Sequence, residues 1–271
     1  MSREDFLIGM VIGAAAASDA NAPGTAADVQ HLAAVALGDA LLEELLAGGV
    51  DLHRLARRWV TWAGEAPRVI APSLREALDH LRDFDAPAPH LAGPVVAALA
   101  AALPAAVASA SPRSMITGAF HVSRLLDPRE STALCSTALV VAAATFLDGR
   151  RDFIPELIAV LRSNQAPPEL LDAILMIPRD RRIVPPVPVG DAPDPIAVAS
   201  WILWQAYHRP HGVDALEDLV VGGVDPAVGA VAAGLLGARD GIAGWPAAWH
   251  RAAAGYAGPR RRLLSRLDTA G

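Results

Sequence analysis

The chain has 271 residues, 53% of them hydrophobic, and a formal net charge of −6 at pH 7. That length fits one large domain or two small ones with a substantial core, and the acidic balance excludes bulk electrostatic attraction to nucleic acid or to an anionic membrane. The lone Cys135 excludes an internal disulfide and a cysteine-based zinc site, and its place in the apolar run Thr132–Phe146 marks a buried, inert thiol.

The opening Met-Ser-Arg-Glu-Asp-Phe lacks the basic start and long apolar core of a signal peptide, so a cytoplasmic protein is expected. Residues 4–17 predict a helix of small and apolar residues without a polar face, hence a central one, broken by Ser18–Gly24. A second helix spans Asp28 to Ala47, with Leu32, Val35, Ala36, Leu42 and Leu46 on one stripe and Gly48-Gly49 as its stop. Leu52–Ala63 and Ser73–Phe84 follow, and Ser73 with Glu76 has the spacing of a capping box. Asp85–His90 reads as a linker. Leu91–Ala110 is nearly free of charge but carries Pro94 and Pro104, which favours a buried helix over 92–108 rather than a membrane span. Ser109–Gly118 reads as irregular, and a long helix is expected from Asp127-Pro128 to Leu147. Helices near 152–162 and 168–176 lead to Pro178–Pro195, whose prolines mark a surface excursion. Ile196–Tyr207, Asp214–Val221, Asp225–Arg239 and Trp245–Tyr256 complete the set. With no sustained period-two alternation and no internal repeat, the expected architecture is all-α, one domain over residues 1–271.

Within the helix that opens at Asp225-Pro226, small residues recur at Ala227, Gly229, Ala230, Ala233, Gly234, Gly237 and Ala238. Glycine costs about 1 kcal/mol relative to alanine inside a helix, so this pattern predicts close approach of a neighbouring helix or of a ligand. The whole stretch Val220–Trp249 resembles the last signature of the ADP-ribosylglycohydrolase family, the all-helical group that includes the dinitrogen-reductase-activating glycohydrolases. Its members read Gly-Gly-Asp-Thr-Asp-Thr before an Ala/Gly-rich helix. The resemblance implies a compact multi-helix orthogonal bundle. It also implies that the two Asp and final Thr of that motif hold a pair of magnesium ions. Those places are Val224, Pro226 and Ala227 here, and none supplies the side-chain oxygen that a hard cation prefers.

The resemblance extends over almost the whole chain. Ala17–Pro23 is similar to the family's Gly-Asp-Ala-x-Gly-Ala-Pro turn, with Ser18 at the Asp place and Asp19 beside it. Ala26-Ala-Asp-Val-Gln30 stands where the family has Thr-Asp-Asp-Thr-Gln, and of its three ligands Asp28 remains. Val69–Leu78 is similar to an Asp-Ile-Gly-Asn-Thr-Thr run without its polar residues. Ser111–Ala119, around Met115, occupies the place of a Gly-Asn-Gly loop that lines the substrate site, and Leu125–Arg129 that of a Thr-His-x-Asp-Pro turn with Leu126 at the His. Five of six inherited ligand places are thus apolar, and a dimagnesium site needs several carboxylates to offset its charge. The chain is identified as a divergent member with degenerate metal motifs.

For catalysis without ions, Asp28 and Asp225 are the candidate acid/base carboxylates, with Ser18, Asp19, Met115 and Val224 as residues lining the cleft. The same two aspartates serve equally as helix N-caps, worth about 1 kcal/mol each. His31, His121, His208 and His211 read as surface histidines, since Pro210 spoils a helical metal pair between the last two. No nucleophile elbow, phosphate-binding loop or His-Glu-x-x-His occurs. The leading expectation is a protein without metal or other cofactor that binds a small molecule or a protein partner in a remodelled cleft, with neither nucleic acid nor membrane as partner. The alternatives are a metal-independent enzyme acting on a ribosyl or glycosyl substrate through Asp28, in a specialised biosynthetic pathway, and a structural or regulatory subunit.

Overall fold

The computed structural model describes residues 2–21, 33–65, 70–89, 93–179, 181–182, 185, 193–221, 225–251, 253–254 and 265, with only the backbone given at 18–21 and 218–221. Among the described residues the structure is all-α. Its ordered elements are α1 (Arg3–Asn21), α2 (Ala33–Leu46), α3 (Leu52–Glu65), α4 (Pro72–Phe84), α5 (Val95–Ala102), α6 (Ala105–Ala108) and α7 (Pro112–Leu126), followed by α8 (Glu130–Leu147), α9 (Ile154–Ser163), α10 (Pro168–Met176), α11 (Pro195–His208), α12 (Gly212–Val221) and α13 (Pro226–Asp240). Residues 247–251 are also helical.

The organising contact is α1 against α13, and glycine makes it possible. A methyl group built on Gly13 would lie 2.2 Å from the Gly229 carbonyl oxygen, one on Gly9 2.7 Å from that of Ala233, and one on Gly237 2.5 Å from that of Asp5. One residue number falls as the other rises, so the two helices run antiparallel with their backbones nearly touching. The small residues of α13 therefore serve a neighbouring helix. Phe6 to Ala17, apart from the glycines, are buried without a break, which is why α1 shows no polar face. Around this pair α13 also meets α12, α8, α11, α5 and α2, and the buried apolar side chains of all these helices form one cluster.

Helix α8 is 18 residues long and apolar enough to cross a membrane by length and composition, yet 78% of it is buried inside the bundle. Three of its polar side chains are satisfied within the helix. Ser136, Thr137 and Thr145 donate to the carbonyls of Thr132, Ala133 and Val141, each one turn back, at 2.8–3.0 Å. Cys135 is fully buried within it, and burial pushes its thiol well above the ordinary range.

Several boundaries differ from the sequence reading. Helix α1 is described through Ser18 to Asn21, beyond the break expected at Ser18. The capping box is not at Ser73. Helix α4 begins after Ala71 without a side-chain cap, while Ser111 and Ser114 exchange reciprocal bonds at 3.1 and 3.0 Å to open α7. Ser109–Gly118 is thus mostly helix. Asp127 does not open α8 but closes α7. Its buried carboxylate accepts from Arg129 Nη2 at 2.7 Å and from Thr132 Oγ1 at 2.8 Å, so the turn is tied from below. Pro104 divides the expected helix over 92–108 into α5 and α6. On α2 the expected Val35 and Leu42 are buried, together with Leu37, Leu41 and Glu44, while Ala36 and Leu46 are only half-buried. Most of Pro178–Pro195, the basic run 260–262, Asp28 and His31 lie outside the described residues.

Candidate functional site

Two places on the fold bear on function. The first is the end of the α1–α13 pair. A methyl group on Gly229 would meet Ala17 Cβ at 2.9 Å, so the last turn of α1, with the backbone of Ser18 and Asp19, lies beside the first turn of α13. The structure thereby brings two of the sequence motifs to one end of the bundle. Asp225 is the N-cap of α13. Its carboxylate accepts from the Ala227 amide at 2.7 Å, and Pro226 occupies the first helical position. Capping, one of the two roles read from the sequence, is one interaction its carboxylate makes. Val224, like Asp28, falls outside the described residues. Among the described residues no three His, Cys, Asp or Glu side chains gather into a metal-holding group.

Met115 is placed elsewhere. It sits half-buried in the first turn of α7, and that helix packs on α8, α5, α6, α3 and α4; α1 and α13 are not among its principal neighbours. His208 Nε2 lies at 2.5 Å from the Ile177 carbonyl and its ring sits 5.0 Å from that of Trp204, so it is part of the packing between α11 and the end of α10. His211 is exposed.

With the α1–α13 geometry in place, the chain can be compared with known proteins. The sequence model of ADP-ribosylglycohydrolase matches residues 5–270. The chain belongs to the ADP-ribosylglycohydrolase family. A solved structure titled an ADP-ribosylglycohydrolase-related protein complex is similar in fold, with a TM-score of 0.75 and 19% sequence identity over 98% of this chain and 96% of that one. No curated protein matches the sequence.

The second place, which sequence reasoning missed, is a groove along the outer face of α7. Its inner part is a cavity of about 420 Å³ between the turn after α2 and the end of α6, with Leu45, Val50 and Leu52 as apolar wall and Gly118 on α7. Its outer part, about 310 Å³, opens between α3 and the Asp85–Pro87 turn, with His53, Asp85 and Arg124 at its rim. Leu52 and His121 line both. His53 Nδ1 pairs with Asp85 Oδ2 at 3.2 Å, both side chains being largely exposed. Arg124 stacks its guanidinium 5.7 Å from the Phe120 ring centroid, and no carboxylate pairs with it among the described residues. The signal for this face was in the sequence. Ser114, Thr117, Gly118, His121, Arg124 and Leu125 recur at helical spacing, a polar and small stripe on a helix.

The strongest charge arrangement lies next to that groove and is structural. Glu44 on α2 is fully buried beneath Arg54 and Arg58 of α3, whose nitrogens approach it at 2.6 and 2.8 Å. Burial raises its pKa, and the hydrogen bond from Arg54 with the charges of Arg54 and Arg58 outweighs that, so the carboxyl is held below its ordinary range. Arg129 is correspondingly held above its ordinary range, chiefly by its hydrogen bond to Asp127. Neither group lines the two cavities described above, and both pairs fix helices.

Proposed function

We propose that this family member uses the ADP-ribosylglycohydrolase frame as a binding scaffold, for a small molecule or a protein partner, and does not carry out magnesium-assisted release of ADP-ribose. The observation that supports this is Asp225. Its carboxylate turns back onto the amide of its own helix, and the next two residues, Pro226 and Ala227, bring no side-chain oxygen to that end of the α1–α13 pair. A pair of divalent cations calls for several hard oxygen donors. The ligand places at Ala26, Ala27 and Val224 supply none from their side chains, and Asp28 alone does not offset two such charges. The residues present do not fit the ion pair, and no reaction step is assigned to it.

The test is release of ADP-ribose from an ADP-ribosylarginine substrate by the purified chain, run with Mg²⁺, with Mn²⁺ and in chelator. The reading expects no enzyme-dependent release in any arm. Metal-dependent turnover lost on Asp28→Asn overturns it, and turnover in chelator lost on the same substitution establishes a metal-independent enzyme in its place.

A further inference from the structure

Gly118, like Gly64 on α3, is not one of the glycines through which helices of the bundle touch. It is inside helix α7, where glycine costs about 1 kcal/mol relative to alanine, yet a methyl group built there meets nothing within 4 Å. Gly13, Gly229 and Gly237 are needed because another backbone touches them; no neighbour needs Gly118. What its missing side chain leaves open is the inner cavity of the α7 groove.

The groove has the size and polarity of a ligand site. A cavity of about 420 Å³ falls within the roughly 300–1,000 Å³ of small-molecule pockets. From Ser114 to Leu125 the α7 face spans about 16 Å at 1.5 Å per residue. The inner end is walled by Leu45, Val50 and Leu52, with Ser109, Ser114 and Thr117 beside them, and suits a largely apolar body. The outer end carries Arg124, without a carboxylate partner among the described residues, and the two histidines His53 and His121. The one carboxylate at that rim, Asp85, is already engaged by His53 at 3.2 Å. One unmatched guanidinium beside a nearby carboxylate favours a singly charged anion and disfavours a dianion, which Asp85 would repel.

We infer that the α7 groove binds an organic monoanion with an apolar body, a medium-chain carboxylate being the simplest, with its head at Arg124 and its tail across Gly118. This site lies away from the α1–α13 end and stands or falls independently of whether any hydrolysis occurs there.

The probe is octanoate, with octylammonium and octanol as molecules of the same tail, measured by saturation-transfer NMR and calorimetry on the full chain. Octanoate is expected to bind saturably at one site, and octylammonium not at all. Gly118→Leu fills the cavity and should weaken octanoate at least about tenfold, the equivalent of about 1.4 kcal/mol. Arg124→Gln should remove the preference for octanoate over octanol. Gly64→Leu is the control, since Gly64 is also a helical glycine with nothing within 4 Å but lies on α3, outside the groove; it should bind octanoate as the parent does. The inference is overturned if octanoate does not bind, if octylammonium binds as well, or if Gly118→Leu binds like the Gly64→Leu control.

Discussion

Replacing Gly13 by alanine should cost far more than its single methyl group suggests. On the existing backbone that methyl would lie 2.2 Å from the Gly229 carbonyl oxygen and 2.3 Å from Ala233 Cβ, whereas nonbonded carbon contacts settle at about 3.5–4.0 Å. Neither neighbour is the tip of a flexible side chain, so α1 and α13 must separate by more than about 1 Å along the most closely packed contact of the bundle. Overpacking of this kind costs about 1–3 kcal/mol and occasionally more, and two rigid backbones place it at or above the top of that range. Helix propensity returns about 1 kcal/mol for glycine to alanine. The net loss is then about 2–3 kcal/mol, which at roughly 2–4 °C per kcal/mol for a chain of this size lowers Tm by about 5–10 °C. Gly118→Ala is the matched comparison: the same propensity gain without a clash, hence a stability equal to or up to about 1 kcal/mol above the parent. Thermal and urea unfolding of both variants decide the matter. If Gly13→Ala is as stable as Gly118→Ala, the α1–α13 contact is not close-packed through glycine and the reasoning fails.

Three further outcomes follow from the buried polar groups. Glu44 has its folded pKa below the ordinary value of 4.5, so its contribution to stability is present above about pH 4.5 and is lost as pH falls toward the folded value. Glu44→Gln should therefore show a shallower fall of urea midpoint between neutral and acid pH than the parent; parallel curves would contradict this. Asp127→Ala removes the partner of Arg129 and Thr132, and because Arg129 is one-third exposed the cost should be near about 2–3 kcal/mol rather than the full penalty of a stranded buried charge, read from urea unfolding. A loss below about 0.5 kcal/mol would show that the turn does not depend on it. Cys135, buried and with its thiol pushed upward, should be silent to a thiol reagent in the folded protein and titrate as one equivalent after unfolding.

How far the sequence could be read depended on whether a residue's role was local. The Asp225-Pro226 helix start is local chemistry, and the structure places it at that position. The small residues of α13 announced a close approach, yet which helix approaches is a tertiary fact: Gly9 and Gly13 on α1 are the complementary half, more than 200 residues away in the chain. Ser73 and Ser111 show the limit of local patterns. Each has a polar residue three places on, but Ser73 follows Pro72 and so lies inside α4, whereas Ser111 precedes Pro112 and is the N-cap where the box forms. Glu44 was illegible because a carboxylate on an apolar stripe is ordinarily solvent-facing, and what buries it is a pair of arginines from the next helix. The α7 groove was overlooked because Ser109–Gly118 read as irregular, which hid the helical spacing of Gly118, His121 and Arg124. The family frame was legible throughout because it is written in packing residues.

The central claim, that a frame built to clasp two cations has kept its packing while its ligand places turned apolar, is tested most directly by titrating Mg²⁺ and Mn²⁺ into the purified chain by calorimetry, beside Asp28→Ala. The account predicts no saturable heat in either protein. Tight, saturable uptake by the parent that disappears in Asp28→Ala would contradict it.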